Sequence, residues 1–218
     1  MNILNFHNIS FIDEENIILD NISFQIEEGD FVSIVGPSGG GKSTLLKMCC
    51  HLKSPSCGTV TYKGEDISKI DVVSLRKEIA YCFQMPYLFG NTVMDNLSFP
   101  YSIRNKKIDM DRIYSLFSIF NMDKDFLNKK ILNLSGGEKQ RIALIRTLLF
   151  EPKVLLLDEV TSALDVENTV IVETVVRDLN KKGVTILWIT HNPEQSKKYA
   201  NKILTLENGK VLSMEVIK

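Results

Sequence analysis

The segment Gly36-Pro37-Ser38-Gly39-Gly40-Gly41-Lys42-Ser43 constrains this chain more than any other, because it fits the spacing G-x-x-x-x-G-K-S. Before it, Phe31-Val32-Ser33-Ile34-Val35 reads as a short strand; after it, Lys42 to Leu52 reads as a helix. A strand that turns through glycines into a helix points successive backbone N–H groups inward, and the helix start adds partial positive charge. Such a concavity accepts a chain of phosphates. Lys42 is placed to reach the β- and γ-phosphates, and the Ser43 hydroxyl to ligate Mg²⁺. Gly36, Pro37, Ser38, Gly39, Gly40, Gly41, Lys42, Ser43 and Thr44 are therefore expected to hold a nucleoside triphosphate. None of the Asn-Lys pairs at 105, 128, 180 and 201 continues as N-K-x-D, so guanine has no reader and ATP is expected over GTP.

The rest of the chain supplies the sheet that such a loop needs. Ile22, Phe24 and Ile26 alternate with polar residues, a half-buried strand, and the first thirty residues read as short strands. Residues 58–67 suggest a hairpin around Lys63-Gly64, and Ile79 to Gln84 another strand. Val154 to Leu157 and Val184 to Thr190 are continuous apolar runs, separated by a helix from about Glu167 to Lys181, and Asn208-Gly209 closes a last hairpin. All-apolar strands alternating with helices predict a parallel sheet covered on both faces, an α/β fold. Between Met85 and about Leu134 the character changes to a helical block, followed by a helix from Gly136 to about Phe150.

Charge and cysteine content narrow the class. The 218 residues carry 26 Lys and Arg against 27 Asp and Glu, a net charge of −1, without the basic excess of a nucleic-acid binder. No apolar run approaches the roughly 18 residues of a membrane span, and Met1-Asn2-Ile3-Leu4-Asn5 lacks signal-peptide character. Cys49, Cys50, Cys57 and Cys82 form no CxxC pair, which suits a reduced cytosolic protein. Beside His51 they are poor metal ligands, since Cys49 and Cys50 point about 100° apart on one helix.

At the end of the Val154–Leu157 strand stand Asp158 and Glu159. In open α/β sheets ligands bind beyond the carboxyl ends of the strands, so Asp158 is expected to face the Mg²⁺ held by Ser43. Glu159 can then polarise the attacking water as general base. His191 follows the next strand and is expected at the same edge, in reach of the γ-phosphate, although His191-Asn192-Pro193 alone reads as a turn.

Leu134-Ser135-Gly136-Gly137-Glu138-Lys139-Gln140-Arg141 resembles the signature motif of ABC-type ATPases, and the other motifs of that family occur in order. Gln84 matches the Q-loop, Ser162-Ala163-Leu164-Asp165 the D-loop and His191 the switch histidine. Ser135-x-x-Glu138 is also a helix-opening capping box. The resemblance implies a P-loop NTPase core of the ABC type with a parallel sheet, an N-terminal antiparallel β subdomain and an inserted α-helical subdomain. Residues 1–84 and 154–218 would form the nucleotide-binding core and 85–153 the signature subdomain of a single ATPase domain. It also implies a head-to-tail homodimer sandwiching two ATP, with Ser135 and Gly137 serving the partner's γ-phosphate. Lys42, Gln84, Glu159 and His191 would be catalytic on their own nucleotide, and Ser43, Gln84 and Asp158 would hold Mg²⁺. One departure stands out: Asp13 occupies the position where the family stacks an aromatic residue on adenine, and Phe11 lies two residues early. Weakened base discrimination is expected.

With one cassette, no heptad stretch and no basic arm, the chain resembles the detached ATPase of a transporter. It would be peripheral at the cytoplasmic face of the membrane and couple ATP hydrolysis to solute movement through a separate permease, with no nucleic acid bound. A soluble ABC-type ATPase acting on nucleic acid or the ribosome is the alternative. The segment Met85 to Val93 corresponds to the groove that receives the permease. Tyr81-Cys82-Phe83-Gln84, Leu88-Phe89-Gly90-Asn91-Thr92-Val93, Asp95-Asn96-Leu97 and Leu187-Trp188-Ile189-Thr190-His191 resemble the FetA-type ATPases, which implies iron export with a FetB-like membrane partner.

Overall fold

The structure is a computed structural model and describes residues 1–217. In chain order the elements are β1 (Asn2–Asp13), β2 (Asn16–Glu27), β3 (Phe31–Val35), α1 (Lys42–Cys49), β4 (Cys57–Tyr62), β5 (Glu65–Asp66), α2 (Val72–Glu78), β6 (Ile79–Cys82), α3 (Val93–Ser102), α4 (Met110–Ile119), α5 (Gly136–Leu148), β7 (Val154–Asp158), α6 (Val166–Lys181), β8 (Thr185–Ile189), α7 (Pro193–Lys198), β9 (Lys202–Glu207) and β10 (Lys210–Val216). They divide into two compact units. The first comprises Met1–Tyr81, Pro152–Glu159 and Leu179–Lys218; the second comprises Cys82–Glu151 and Val160–Asp178.

The first unit holds an antiparallel sheet of order β2-β1-β4-β5 and a second sheet of order β10-β9-β3-β8-β7-β6. β1 and β2 run 12 residues each rather than as short strands. Register shifts around Phe6, Ile9 and Phe11 break the simple alternation that marks a strand in sequence. Asn8 and Asn21 take φ of 48° and 47° inside these strands, a left-handed conformation that asparagine tolerates better than most residues. Across the pair, the Phe6 and Phe24 rings stack at 4.3 Å.

In the second sheet β3 lies parallel to both β8 and β9, and β7 parallel to β8. Every residue of β7 and β8 is buried, as a strand covered on both faces requires. Ile34 and Asp158 both register with Ile189. The chain therefore leaves β3, β7 and β8 at one edge, into Gly36, Glu159 and Thr190 respectively. Helix α1 buries Leu45, Leu46, Met48 and Cys49 in a core shared with residues of both sheets. It stops at Cys49, before Leu52, because Arg76 ties off its end: the guanidinium donates to the carbonyls of Cys50 and His51, and His51 takes φ of 52°.

In the second unit α3 and α5 both open on complete capping boxes, Thr92 with Asp95 and Ser135 with Glu138. Asn96 is fully buried; its amide donates to the carbonyls of Phe89 and Thr92 and accepts from the Phe89 N–H and Arg146. Arg146 on α5 also donates to the Tyr87 carbonyl. These bonds pin the backbone of residues 87–92 while Met85 and Tyr87 stay 82% and 72% exposed.

Candidate nucleotide site

The loop after β3 is shaped by two glycines that nothing else could replace. A Cβ on Gly36, at φ 140°, would lie 1.9 Å from the Leu206 carbonyl oxygen; one on Gly41, at φ 93°, would lie 2.6 Å from Leu19 Cδ2. Gly41 is the N-cap of α1, so no side chain satisfies the first N–H groups, and the first turn carries no acid. Open donors with the helix dipole behind them form an anion site. Pro37, Ser38 and Gly39 are exposed at the rim, while Ser43 and Thr44 are half-buried in the first turn.

Lys42 is buried, and its ammonium folds back to donate to the carbonyls of Gly36 at 2.9 Å and Pro37 at 2.7 Å. Burial lowers its pKa, against the opposing pull of Glu159 and Asp158. A cation so poorly hydrated and weakly compensated is primed to exchange carbonyls for phosphate oxygens.

One contact joins a strand end to this loop and a second joins two strand ends. Ser43 Oγ donates to Asp158 Oδ1 at 3.0 Å, and the Tyr81 hydroxyl donates to Asp158 Oδ2 at 2.5 Å. His191 Nε2 lies 2.8 Å from Glu159 Oε1. Glu159 itself takes φ of 50°, a left-handed backbone that is costly for a residue with a Cβ and that gathers at functional sites. The turn carrying His191 is held on both sides: Thr190 Oγ1 donates to buried Gln195, and Asn192 caps α7 by accepting from the N–H groups of Glu194 and Gln195. What reads in sequence as a turn is thus a helix start.

Gln84, Ser135 and Gly137 belong to the second unit. Gln84 is exposed just beyond β6. Ser135 and Gly137 stand at the start of α5, where Ser135 Oγ accepts from the Glu138 N–H at 3.2 Å and Glu138 accepts from the Ser135 N–H at 2.7 Å. Asp165 caps α6 through the Asn168 N–H, and that bond holds its carboxyl below the usual range.

The donors gathered in the first unit suit a hard cation. Ser43 and Asp158 offer oxygen only, and among the described residues no group of three or more His, Cys, Asp or Glu side chains could hold a metal. Mg²⁺ is bound in this manner, by one or two protein oxygens with phosphate and water completing the shell. The cysteines are turned to structure instead: Cys49 and Cys50 donate back to the carbonyls of Leu45 and Leu46, and burial raises both thiol pKa values, that of Cys50 to about 11. Asp13 pairs with Lys53 at 3.5 Å, and the same ammonium sits 4.3 Å over the Phe11 ring.

Sequence reasoning missed Tyr81 and Gln195. Tyr81 meets Asp158 because β6 lies beside β7, a neighbour relation that no local pattern encodes. Gln195 carried no signal, since the helix it belongs to was not foreseen.

Residues 19–162 match the family described as ABC transporter. Over 94% of its length the chain is 45% identical to the "Probable iron export ATP-binding protein FetA" of Escherichia coli (strain K12), covering 91% of that protein. It is 40% identical, over 94% of its length and 78% of the relative's, to "ABC transporter I family member 17" of Arabidopsis thaliana. Among solved structures, the dimeric post-hydrolysis state of the ATP-binding cassette MJ0796 bound to ADP and Pi superimposes with a TM-score of 0.89 at 29% identity, covering 99% of both chains. A phosphate-accepting loop, an acid pair at the sheet edge and a match of this extent lead to one conclusion: the chain belongs to the ABC transporter family and is an ATP-binding, ATP-hydrolysing subunit of it.

Proposed function

We propose that this ATPase drives metal export, with iron as cargo, through a separate FetB-like membrane subunit. The observation that carries the reading is the likeness to the Escherichia coli FetA protein, which extends over nearly the whole of both chains. Among the described residues no helix is long and apolar enough to cross a membrane, and in this reading the path for the solute lies in that separate subunit. The exposed Met85 and Tyr87, on a backbone pinned by Asn96 and Arg146, suit docking of that chain at the cytoplasmic membrane face.

In the proposed cycle, two copies pair head to tail over two ATP molecules. Residues 36–44 cradle the phosphates of their own nucleotide, while Ser135 and Gly137 meet the γ-phosphate held by the partner copy. Ser43, Asp158 and Gln84 would hold Mg²⁺, which would neutralise charge on the phosphate oxygens. Glu159, oriented by its bond to His191, takes a proton from water as the water oxygen bonds to the γ-phosphorus and the bond to the β-phosphate oxygen breaks. Lys42 stabilises the charge left on the phosphates. Loss of the γ-phosphate removes the bridge between copies and reopens the pair.

Glu159→Gln is expected to retain ATP binding and lose turnover by about 100-fold or more, the range for removing a positioned base. Near-normal hydrolysis would remove Glu159 from that role. Tagged Glu159→Gln protein, used to capture partners from detergent-solubilised membranes of its own cells, should recover a polytopic membrane protein in stoichiometric amount. Recovery of ribosomes or nucleic-acid-bound proteins, with nothing from the membrane, would leave the ATPase in place and overturn the export reading.

A further inference from the structure

We propose that Tyr81 is a positioning residue for cation binding at the nucleotide site, acting through the hydrogen bond from its phenol to Asp158. The proposal rests on the reading of Ser43 and Asp158 as the cation-holding pair. Asp158 ends β7 at 4% exposure, where little water can satisfy its carboxylate. Each oxygen instead receives one donor, Ser43 on Oδ1 and Tyr81 on Oδ2, from two different elements. With Ser43 alone, the carboxylate could turn about its last bond and offer either oxygen; the second donor removes that freedom. Because Ser43 is the donor in its bond, both lone pairs of its oxygen remain available to a cation.

The chemistry of residue 81 matters as much as its position. A lysine or arginine there would neutralise Asp158 and repel the cation. A phenylalanine would leave Oδ2 buried without a donor. A phenol supplies the bond with no charge. Tyr81 also ends the first of the three chain segments that make up the first unit.

The test compares the affinity of purified protein for a fluorescent, non-hydrolysable ATP analogue in Mg²⁺ and in EDTA. The ratio of the two isolates what the cation adds, which a general loss of stability would not move. Tyr81→Phe is expected to shrink the ratio about tenfold, as loss of a bond to a metal-holding carboxylate does, with the EDTA affinity unchanged. Asp158→Asn should bring the ratio close to one. A Tyr81→Phe ratio within about twofold of wild type, beside a collapsed Asp158→Asn ratio, would overturn the proposal and leave the cation reading standing. An unchanged Asp158→Asn ratio would overturn both. A fall of the EDTA affinity in Tyr81→Phe, matching the fall in Mg²⁺, would show a disturbed phosphate loop and equally overturn the proposal.

Discussion

Helices α1 and α5 both start on glycine-rich sequence, yet their first turns are finished differently. Gly41 leaves the N–H groups of α1 open and no acid follows. Ser135 and Glu138 close those of α5 on themselves, and Lys129 supports the arrangement 3.5 Å from Glu138. The first end is incomplete until an anion arrives; the second is complete alone. Glycines at α1 are demanded by the chain's own backbone, whereas a Cβ on Gly136 would meet nothing within 4 Å and one on Gly137 only Leu164 Cδ2 at 3.7 Å. Each glycine in a helix sacrifices up to about 1 kcal/mol relative to alanine. Among the described residues only Leu164 comes near this bare backbone, an opening that suits the proposed contact with a phosphate held by a second copy.

The contrast can be broken most severely at Lys42. Lys42→Ala should weaken ATP binding by at least about 100-fold, since it deletes a buried cation that bonds within the loop. Calorimetric titration measures this, and binding within tenfold of wild type would mean that α1 is not the anion site. The same glycine-to-alanine change then separates the two helices. Gly41→Ala, which forces a Cβ against Leu19 and into a left-handed φ, should cost about 2 kcal/mol in denaturant unfolding. Gly137→Ala should leave stability unchanged or raise it by about 0.5 kcal/mol. Its ATPase rate should nevertheless fall by about tenfold or more, because the added Cβ would hold the reacting phosphate away from the backbone N–H donors. A Gly137→Ala enzyme with full turnover would sink the idea that this glycine serves a ligand.

The smallest effect lies in the α5 cap itself. Burial opposes ionisation of Glu138, but the Ser135 N–H and Lys129 outweigh it and hold the carboxyl below its usual range. A lowered folded pKa stabilises above the unfolded value, about 4.3, and that gain is lost as pH falls through the folded one. Glu138→Gln should therefore trail wild type in urea midpoint near neutrality, with the gap closing below about pH 4. A gap that stays constant with pH would assign the cap to shape rather than charge.

Local signals carried much of the fold. The hairpin turns at Lys63-Gly64 and Asn208-Gly209 hold paired left-handed φ values, 50° and 86°, and 49° and 75°. The apolar runs of β7 and β8 read plainly because both faces are covered. The length of β1 and β2 did not, since bulges scramble alternation. Nor did α3, which keeps Pro100 in its interior, or α7, hidden behind His191-Asn192-Pro193. At the site, each strand end could be read from its own segment. The bonds between segments, Ser43 to Asp158, Tyr81 to Asp158 and His191 to Glu159, depend on strand order, which periodicity leaves open.

That strand order also dictates when this protein can fold. β3, which delivers the phosphate loop, lies between β8 and β9, so Phe31 pairs with Ile186 and Val32 with Lys202. A chain emerging from the ribosome exposes β3 with neither neighbour, an apolar strand with two open edges, until β8 and β9 are made. The β1–β2 hairpin closes early, and α3 to α5 lie wholly within one internal stretch. The nucleotide loop is therefore synthesised well before the strands that complete its sheet, and a nascent chain stalled before β8 cannot yet assemble the site around its ATP.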